Sequence, residues 1–198
     1  MNLKAIFSKK SKWNGATEDE KFMALKKAIN SESINEIRQR LKEGININTL
    51  DSYSKSNILM YYSSNAKNLN WNPNEIVEFL KSKGVDINHL RNNRLKGSTS
   101  SLHLAVIQKN FGLLEALINN GAEIEIKDGN GNTPLWKAVI DYRGGTEMMK
   151  IIKLLLTKEA SLDIKNNHGN SARDNIKRIA KGIEAGHNKK EWDLSEII

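Results

Sequence analysis

The chain has 198 residues, 38% of them hydrophobic, with a formal net charge of +8 and no cysteine. That length allows one or two ordinary domains, and the modest apolar fraction suits a thin, elongated core better than a thick one. The absence of thiols excludes disulfide staples, thiolate metal sites and thiol nucleophiles, and fits a reducing, cytoplasmic compartment.

The positive balance attracts anionic partners and speeds their association. Lysines nevertheless alternate with acids, as at Lys42-Glu43 and Lys189-Lys190-Glu191, and form no dense stripe. A solvated surface is therefore preferred to a nucleic-acid footprint.

Residues 1–16 read as a basic N-terminal segment. Leu3, Ile6 and Phe7 precede Lys9, Lys10 and Lys12, an apolar stretch too short for a secretory leader. No run approaches the roughly 18 apolar residues of a membrane helix. Residues 17–198 are then expected to form a single domain.

Its first helix opens at Thr17-Glu-Asp-Glu20, a capping box in which the Thr17 oxygen and the Glu20 carboxylate satisfy orphan amides. Ile34, Ile37 and Leu41 mark the next helix, ended by Gly44. Pro73 opens a later helix at a position that needs no amide partner, followed by Ile76, Phe79 and Leu80 and closed by Gly84. Leu113, Leu114, Leu117 and Ile118 end at Gly121, whereas Ile151, Ile152, Leu155 and Leu156 end at Glu159. All these sets fall at helical spacing. The glycines stand where a helix stops in a left-handed residue, so the end at Glu159 is expected to be strained or differently wound.

Four segment endings share one skeleton: Lys42-Glu-Gly-Ile-Asn-Ile-Asn48, Lys81-Ser-Lys-Gly-Val-Asp-Ile-Asn88, Asn119-Asn-Gly-Ala-Glu-Ile-Glu125 and Thr157-Lys-Glu-Ala-Ser-Leu-Asp163. A lone pair of such helices cannot cover its apolar stripe, which is worth about 25 cal/mol per Å² removed from water, so neighbouring pairs must stack.

The segment Asp128-Gly-Asn-Gly-Asn-Thr-Pro-Leu-Trp-Lys-Ala-Val139 resembles the opening of the ankyrin repeat, Thr-Pro-Leu-His-x-Ala after a turn, with Trp136 in the place of the usual histidine. Ser100-Ser-Leu-His-Leu-Ala105 is a degenerate copy that keeps the histidine, and Leu102 and Leu135 stand 33 positions apart, the ankyrin period. The resemblance implies an all-α ankyrin repeat solenoid of about five helix-turn-helix repeats, at about 17–50, 51–92, 93–127, 128–165 and 166–198. Leu25 to Gly44 and Leu102 to Gly121 each span 19 positions, but Leu59 to Gly84 spans 25 and Leu135 to Glu159 spans 24. Repeats 2 and 4 therefore carry insertions between their helices, and a few further residues lengthen the turn at Arg91 to Gly97. In the last repeat Arg173 replaces the core leucine, as a terminal unit permits. Trp192, Ile197 and Ile198 are expected to fold back as a lid.

Catalytic and metal-binding patterns are not expected. His89, His103, His168 and His187 form no pair on one helix face. The resemblance gives His103 a buried hydrogen-bonding role. Asp128-Gly-Asn130-Gly-Asn132 starts like a calcium loop, but its twelfth position is Val139, not an acid. There is no phosphate loop and no serine elbow. The chain is read as a non-enzyme without cofactor.

In the ankyrin family partners lie along the concave face of turn tips and first helices. Carried over, that face includes Lys55, Ser56, Lys96, Thr99, Asn130, Asn132, His168 and Asn170, with Ile107, Gln108, Ile140 and Asp141 from first helices. Aromatic and arginine side chains dominate interface hot spots. Tyr61, Trp71, Trp136, Tyr142 and Arg143, in or beside the insertions, join the expected contacts. Trp136 and Tyr62 serve equally well as core filler. The expected function is a protein-binding module, monomeric when free, that sequesters or scaffolds another protein. Small bacterial ankyrin proteins include immunity proteins, so the resemblance extends to neutralisation of a cognate toxin. Nucleic-acid or anionic-surface binding is the alternative.

Overall fold

A computed structural model describes residues 12–93, 97–185, 193–194 and 197. Among them the chain runs through α1 (Glu18–Asn30), α2 (Ile34–Lys42), α3 (Ile58–Asn65), a 3-10 turn (Ala66–Asn68), α4 (Pro73–Ser82), the strands β1 (Arg91–Asn93) and β2 (Gly97–Thr99), then α5 (Ser101–Ile107), α6 (Phe111–Asn119), α7 (Pro134–Ile140), α8 (Thr146–Thr157) and α9 (Ala172–Glu184). The architecture is an all-α solenoid of stacked helix pairs. α1, α3, α5, α7 and α9 stack in one row, and α4, α6 and α8 in a second.

Local chemistry sets the helix starts. The Thr17 hydroxyl accepts from the Glu20 N–H while the Glu20 carboxylate accepts from the Thr17 N–H at 2.8 Å. Ser171 and Asp174 repeat that box at α9. Pro73 and Pro134 occupy the first turns of α4 and α7. One continuous apolar core runs from Phe22 to Leu194, with Leu25, Leu59, Leu102 and Leu135 fully buried at equivalent places in the first helices.

The second helices end alike. Gly44, Gly84 and Gly121 take φ of 97°, 83° and 90°. Glu159 does the same at 64°, and the Ala160 N–H bonds the Leu155 carbonyl at 3.0 Å just as Ile45 bonds Arg40. Of the two outcomes expected at Glu159, the winding is unchanged and the cost is strain, because an L side chain in this region costs about 1–2 kcal/mol.

Both insertions fall between the helices of a pair. In the second repeat the inserted chain folds back onto the first: Trp71 Nε1 donates to the Ile29 carbonyl at 2.9 Å and the Asn70 N–H to Glu32 Oε1 at 3.0 Å. In the fourth, Tyr142 turns into the core.

The turn at Arg91 to Gly97, expected only to be longer, closes as an antiparallel hairpin with Arg91 opposite Thr99 and Asn93 opposite Gly97. At the chain's far end Arg173 sits one-third exposed and forks onto Asp163 at 2.6 and 3.1 Å. Leu194 is buried and Ile197 packs on the core, while Trp192 and Ile198 of the expected lid lie outside the described residues.

Candidate partner-binding surface

The turns before α3, α7 and α9 are each closed by an acceptor side chain. Asp128 Oδ1 accepts from the Asn130 and Asn132 N–H groups at 2.8 and 2.9 Å, and its Oδ2 from the Asn132 amide at 3.1 Å. Asn166 Oδ1 accepts from the His168 and Asn170 N–H groups at 2.9 and 3.0 Å. Asp51 Oδ1 accepts from the Ser54 N–H and hydroxyl at 2.7 and 2.8 Å. Burial pushes the Asp51 carboxyl up, but Ser54 and the nearby Lys26 together hold it below its ordinary value. The third repeat has Arg91 at this place, paired with Thr99 as Asp128 is with Asn132. A guanidinium accepts nothing. The turn therefore opens into the β1/β2 hairpin.

Neighbouring turns are stitched into one rim. His89 Nε2 bonds the Lys55 carbonyl at 2.6 Å, the Gly129 N–H donates to Ser98 at 2.9 Å, and the Asn167 N–H donates to Asn130 at 2.9 Å. Below the rim His103 is buried. Its Nε2 faces the Asn132 carbonyl at 3.0 Å and so carries the proton, leaving Nδ1 to accept from the Ser100 hydroxyl at 2.9 Å. Burial drives its pKa down, which keeps the ring neutral.

The expected contact residues divide by burial. Lys55 and Asn130 are exposed on the rim, and Arg143 is exposed after α7, where its guanidinium donates to the Ile140 and Tyr142 carbonyls. Tyr61, Gln108 and Asp141 are half-buried on the first-helix row. The Tyr61 hydroxyl donates to Asn30 at 3.0 Å, the Gln108 amide reaches the Ser64 carbonyl at 2.7 Å, and Asp141 pairs with Lys137 at 3.0 Å. Trp71 and Trp136 are half-buried against the core. Thr99, Asn132 and Tyr142 are corrected, for none is more than 9% exposed. Thr99 is the buried last residue of β2, Tyr142 is core, and Asn132 is a turn-closing hub whose Oδ1 also accepts from the Asn166 amide at 2.8 Å. Ser56, also expected on that face, is buried at the base of its turn. Lys96 lies outside the described residues.

Sequence reasoning named Ile107 but missed Met23, Tyr53 and Leu90. Among the described residues the large apolar groups left exposed are Met23, Tyr53, Leu90 and Ile107. Met23 and Ile107 lie on first helices, Tyr53 and Leu90 in turn segments. None lies on α2, α4, α6 or α8. The available signal was an apolar residue in a turn where no helical stripe requires one.

Two open hollows flank the rows. One of about 580 Å³ is bounded by Trp13, Met23 and Arg40, and one of about 310 Å³ lies beside Gly144 and Gly145. Neither joins a nucleophile to a base. The described residues contain no cluster of three or more His, Cys, Asp or Glu able to hold a metal, and no helix long and apolar enough to cross a membrane.

Residues 102–173 match the family of ankyrin repeats, in three copies. An ankyrin repeat protein of fowlpox virus is 31% identical over 134 residues, covering 68% of this chain and 36% of its own length. A second fowlpox ankyrin repeat protein is 35% identical over 73 residues, covering 37% of this chain and 12% of its own length. The potassium channel AKT1 of rice is 31% identical over 80 residues, covering 40% of this chain and 8% of its own length. The chain thus spans about a third or less of the length of these relatives. With the stacked helix pairs, the left-handed helix ends and the buried His103, these likenesses establish that the chain carries ankyrin repeats built into an all-helical solenoid.

Proposed function

We propose that the chain is a protein-binding module that sequesters or scaffolds a partner protein along the ledge formed by its turns and first helices. Ankyrin repeats generally mediate protein–protein interaction. The observation that carries the proposal to this ledge is the distribution of exposed apolar side chains: Met23, Tyr53, Leu90 and Ile107 all belong to turns or first helices. Exposed apolar area flanked by polar residues is what recognition surfaces offer.

A photo-activated cross-linking residue placed at Ile107, and separately at exposed Glu78 on α4, tests this in the native host. A discrete protein adduct is expected from the Ile107 position and none from Glu78. Adducts only from Glu78 would move the site to the second helices. Adducts with nucleic acid alone would favour the competing anionic-polymer reading, whose affinity falls steeply with salt. The narrower role of neutralising a toxin draws no support from the relatives, which come from a poxvirus and from rice.

A further inference from the structure

We propose that Asn14 is the residue at which the folded chain converts asparagine to aspartate and isoaspartate without an enzyme, with the Gly15 main-chain nitrogen as nucleophile and water as co-reactant. The inference is independent of the protein-binding reading.

The dipeptide sets the chemistry. The Gly15 nitrogen loses its proton to solvent and bonds to Asn14 Cγ, the Cγ–Nδ2 bond breaks, and ammonia leaves. Water then opens the resulting cyclic imide at either carbonyl, giving aspartate or a main chain that continues through the side-chain carboxyl. Glycine favours the closure because it has no Cβ to block the approach and its backbone turns freely. The chain holds three Asn-Gly pairs, at Asn14, Asn120 and Asn130. The fold treats them differently.

Two of the pairs are tied down. The Gly121 N–H donates to the Ile118 carbonyl at 2.9 Å, and the Asn120 side-chain amide donates to the Ala116 carbonyl at 2.9 Å. The Asn120 carbonyl also accepts from Lys81 at 2.6 Å. The Gly131 N–H donates to the Asp128 carbonyl at 2.9 Å. Asn130 is held on both sides, its N–H by Asp128 Oδ1 at 2.8 Å and its carbonyl by the Asn167 N–H at 2.9 Å. Asn14 and Gly15 are exposed, and neither makes a hydrogen bond with a described residue. The turn around them closes through a bond that bypasses both, from the Ala16 N–H to the Trp13 carbonyl at 3.1 Å. A Cβ at Gly15 would meet nothing within 4 Å, so no neighbour obstructs the rotation that closure needs.

The product falls between two anchors. Trp13 packs on the core and donates its indole N–H to Glu43 at 3.3 Å, and Thr17 caps α1. Isoaspartate lengthens the main chain between them by one atom.

The test is peptide mapping by mass spectrometry of the full chain, folded and in urea, held in mildly alkaline buffer made with heavy-oxygen water. In the folded chain, label is expected at Asn14 about tenfold faster than at Asn120 or Asn130, equivalent to about 1.4 kcal/mol. That is the scale of the hydrogen bonds that must open at the other two sites. In urea the three rates are expected to converge. The Asn14 peptide should resolve into two products of equal mass, and Asn14→Gln should remove both while helical circular dichroism is retained. Label entering Asn120 or Asn130 as fast as Asn14 in the folded chain overturns the assignment. So does an advantage of Asn14 that persists undiminished in urea, because flanking sequence would then be its cause, and so does a folded chain unlabelled at Asn14.

Discussion

His103 Nε2 lies 3.0 Å from the main-chain carbonyl of Asn132, tying the first helix of the third repeat to the turn of the fourth. Accepting from the Ser100 hydroxyl at Nδ1 requires a neutral ring, and burial lowers the His103 pKa from 6.5 although the Asn132 carbonyl itself favours the charged form. Between that lowered value and 6.5 the unfolded chain binds more protons than the folded one, so stability rises with pH there. The contribution is complete above 6.5 and is lost as pH falls towards the folded-state pKa. Urea unfolding at pH 7 and pH 5 is expected to show this loss. His103→Leu is expected to reduce the dependence in that window and to cost about 1–3 kcal/mol at pH 7, since Ser100 loses its acceptor. A variant as pH-sensitive as the parent would assign the effect to another group.

Trp136 occupies the same slot one repeat later, and its indole Nε1 is buried without an acceptor among the described residues. Replacement by phenylalanine removes an unsatisfied donor and leaves a small void, two effects of opposite sign. Trp136→Phe is therefore expected to change stability by less than about 1 kcal/mol, well short of the loss at His103. A similar loss in chemical denaturation would mean that the indole has found an acceptor.

Gly131 takes φ of 78°, and a Cβ there would come within 2.8 Å of the Asn167 main-chain nitrogen. That nitrogen already donates to Asn130 in the rim. Gly131→Ala is expected to cost about 1–3 kcal/mol through backbone strain and to loosen the fifth repeat first. Gly145→Ala meets open space at an ordinary φ, and is expected to leave the melting temperature nearly unchanged. Hydrogen exchange in α9 reads the difference, and unchanged protection of α9 in Gly131→Ala would count against the rim as a coupling element.

Trp71, an expected partner contact, is half-buried and donates its indole N–H to the Ile29 carbonyl of the first repeat. Trp71→Phe is expected to cost about 1 kcal/mol by deleting that bond, with no change in capture of a partner cross-linked at Ile107. Lost capture with unchanged stability would restore Trp71 to the interface.

What could be read from the sequence was what local chemistry dictates. The Thr17 and Glu20 box, Pro73 and the glycine ends need only their neighbours in the chain, and His103 needed only its motif. The contacts that such reading passes over depend on distant residues. Asn132 looks like a solvated turn asparagine until Asn166, 34 residues on, closes over it. The Trp71 bond spans 42 residues. The hairpin follows from Arg91 standing where the other turns carry an acceptor, a comparison between repeats whose alignment here is shifted by the longer turn. The exposed residues Tyr53 and Leu90 belong to no periodic stripe, so period-based reading passes over them.

Glu159 offers the cleanest measure of the energy held at a helix end. Its φ of 64° matches the glycines that close the other second helices, and the carboxylate makes no hydrogen bond or ion pair with any described residue. Glu159→Gly removes about 1–2 kcal/mol of steric cost and gives back about 0.4–1 kcal/mol through the freer unfolded chain. The net expectation is a gain of up to about 1.6 kcal/mol, at about 2–4 °C in melting temperature per kcal/mol. Gly84→Ala is the mirror experiment, because a Cβ there meets nothing within 4 Å and the φ of 83° alone sets the cost. It should lose about what Glu159→Gly gains. Opposite signs for the two variants identify the left-handed residue as the common limiting element, whereas a lower melting temperature for Glu159→Gly would show that the side chain supports its helix end in a way that outweighs the strain.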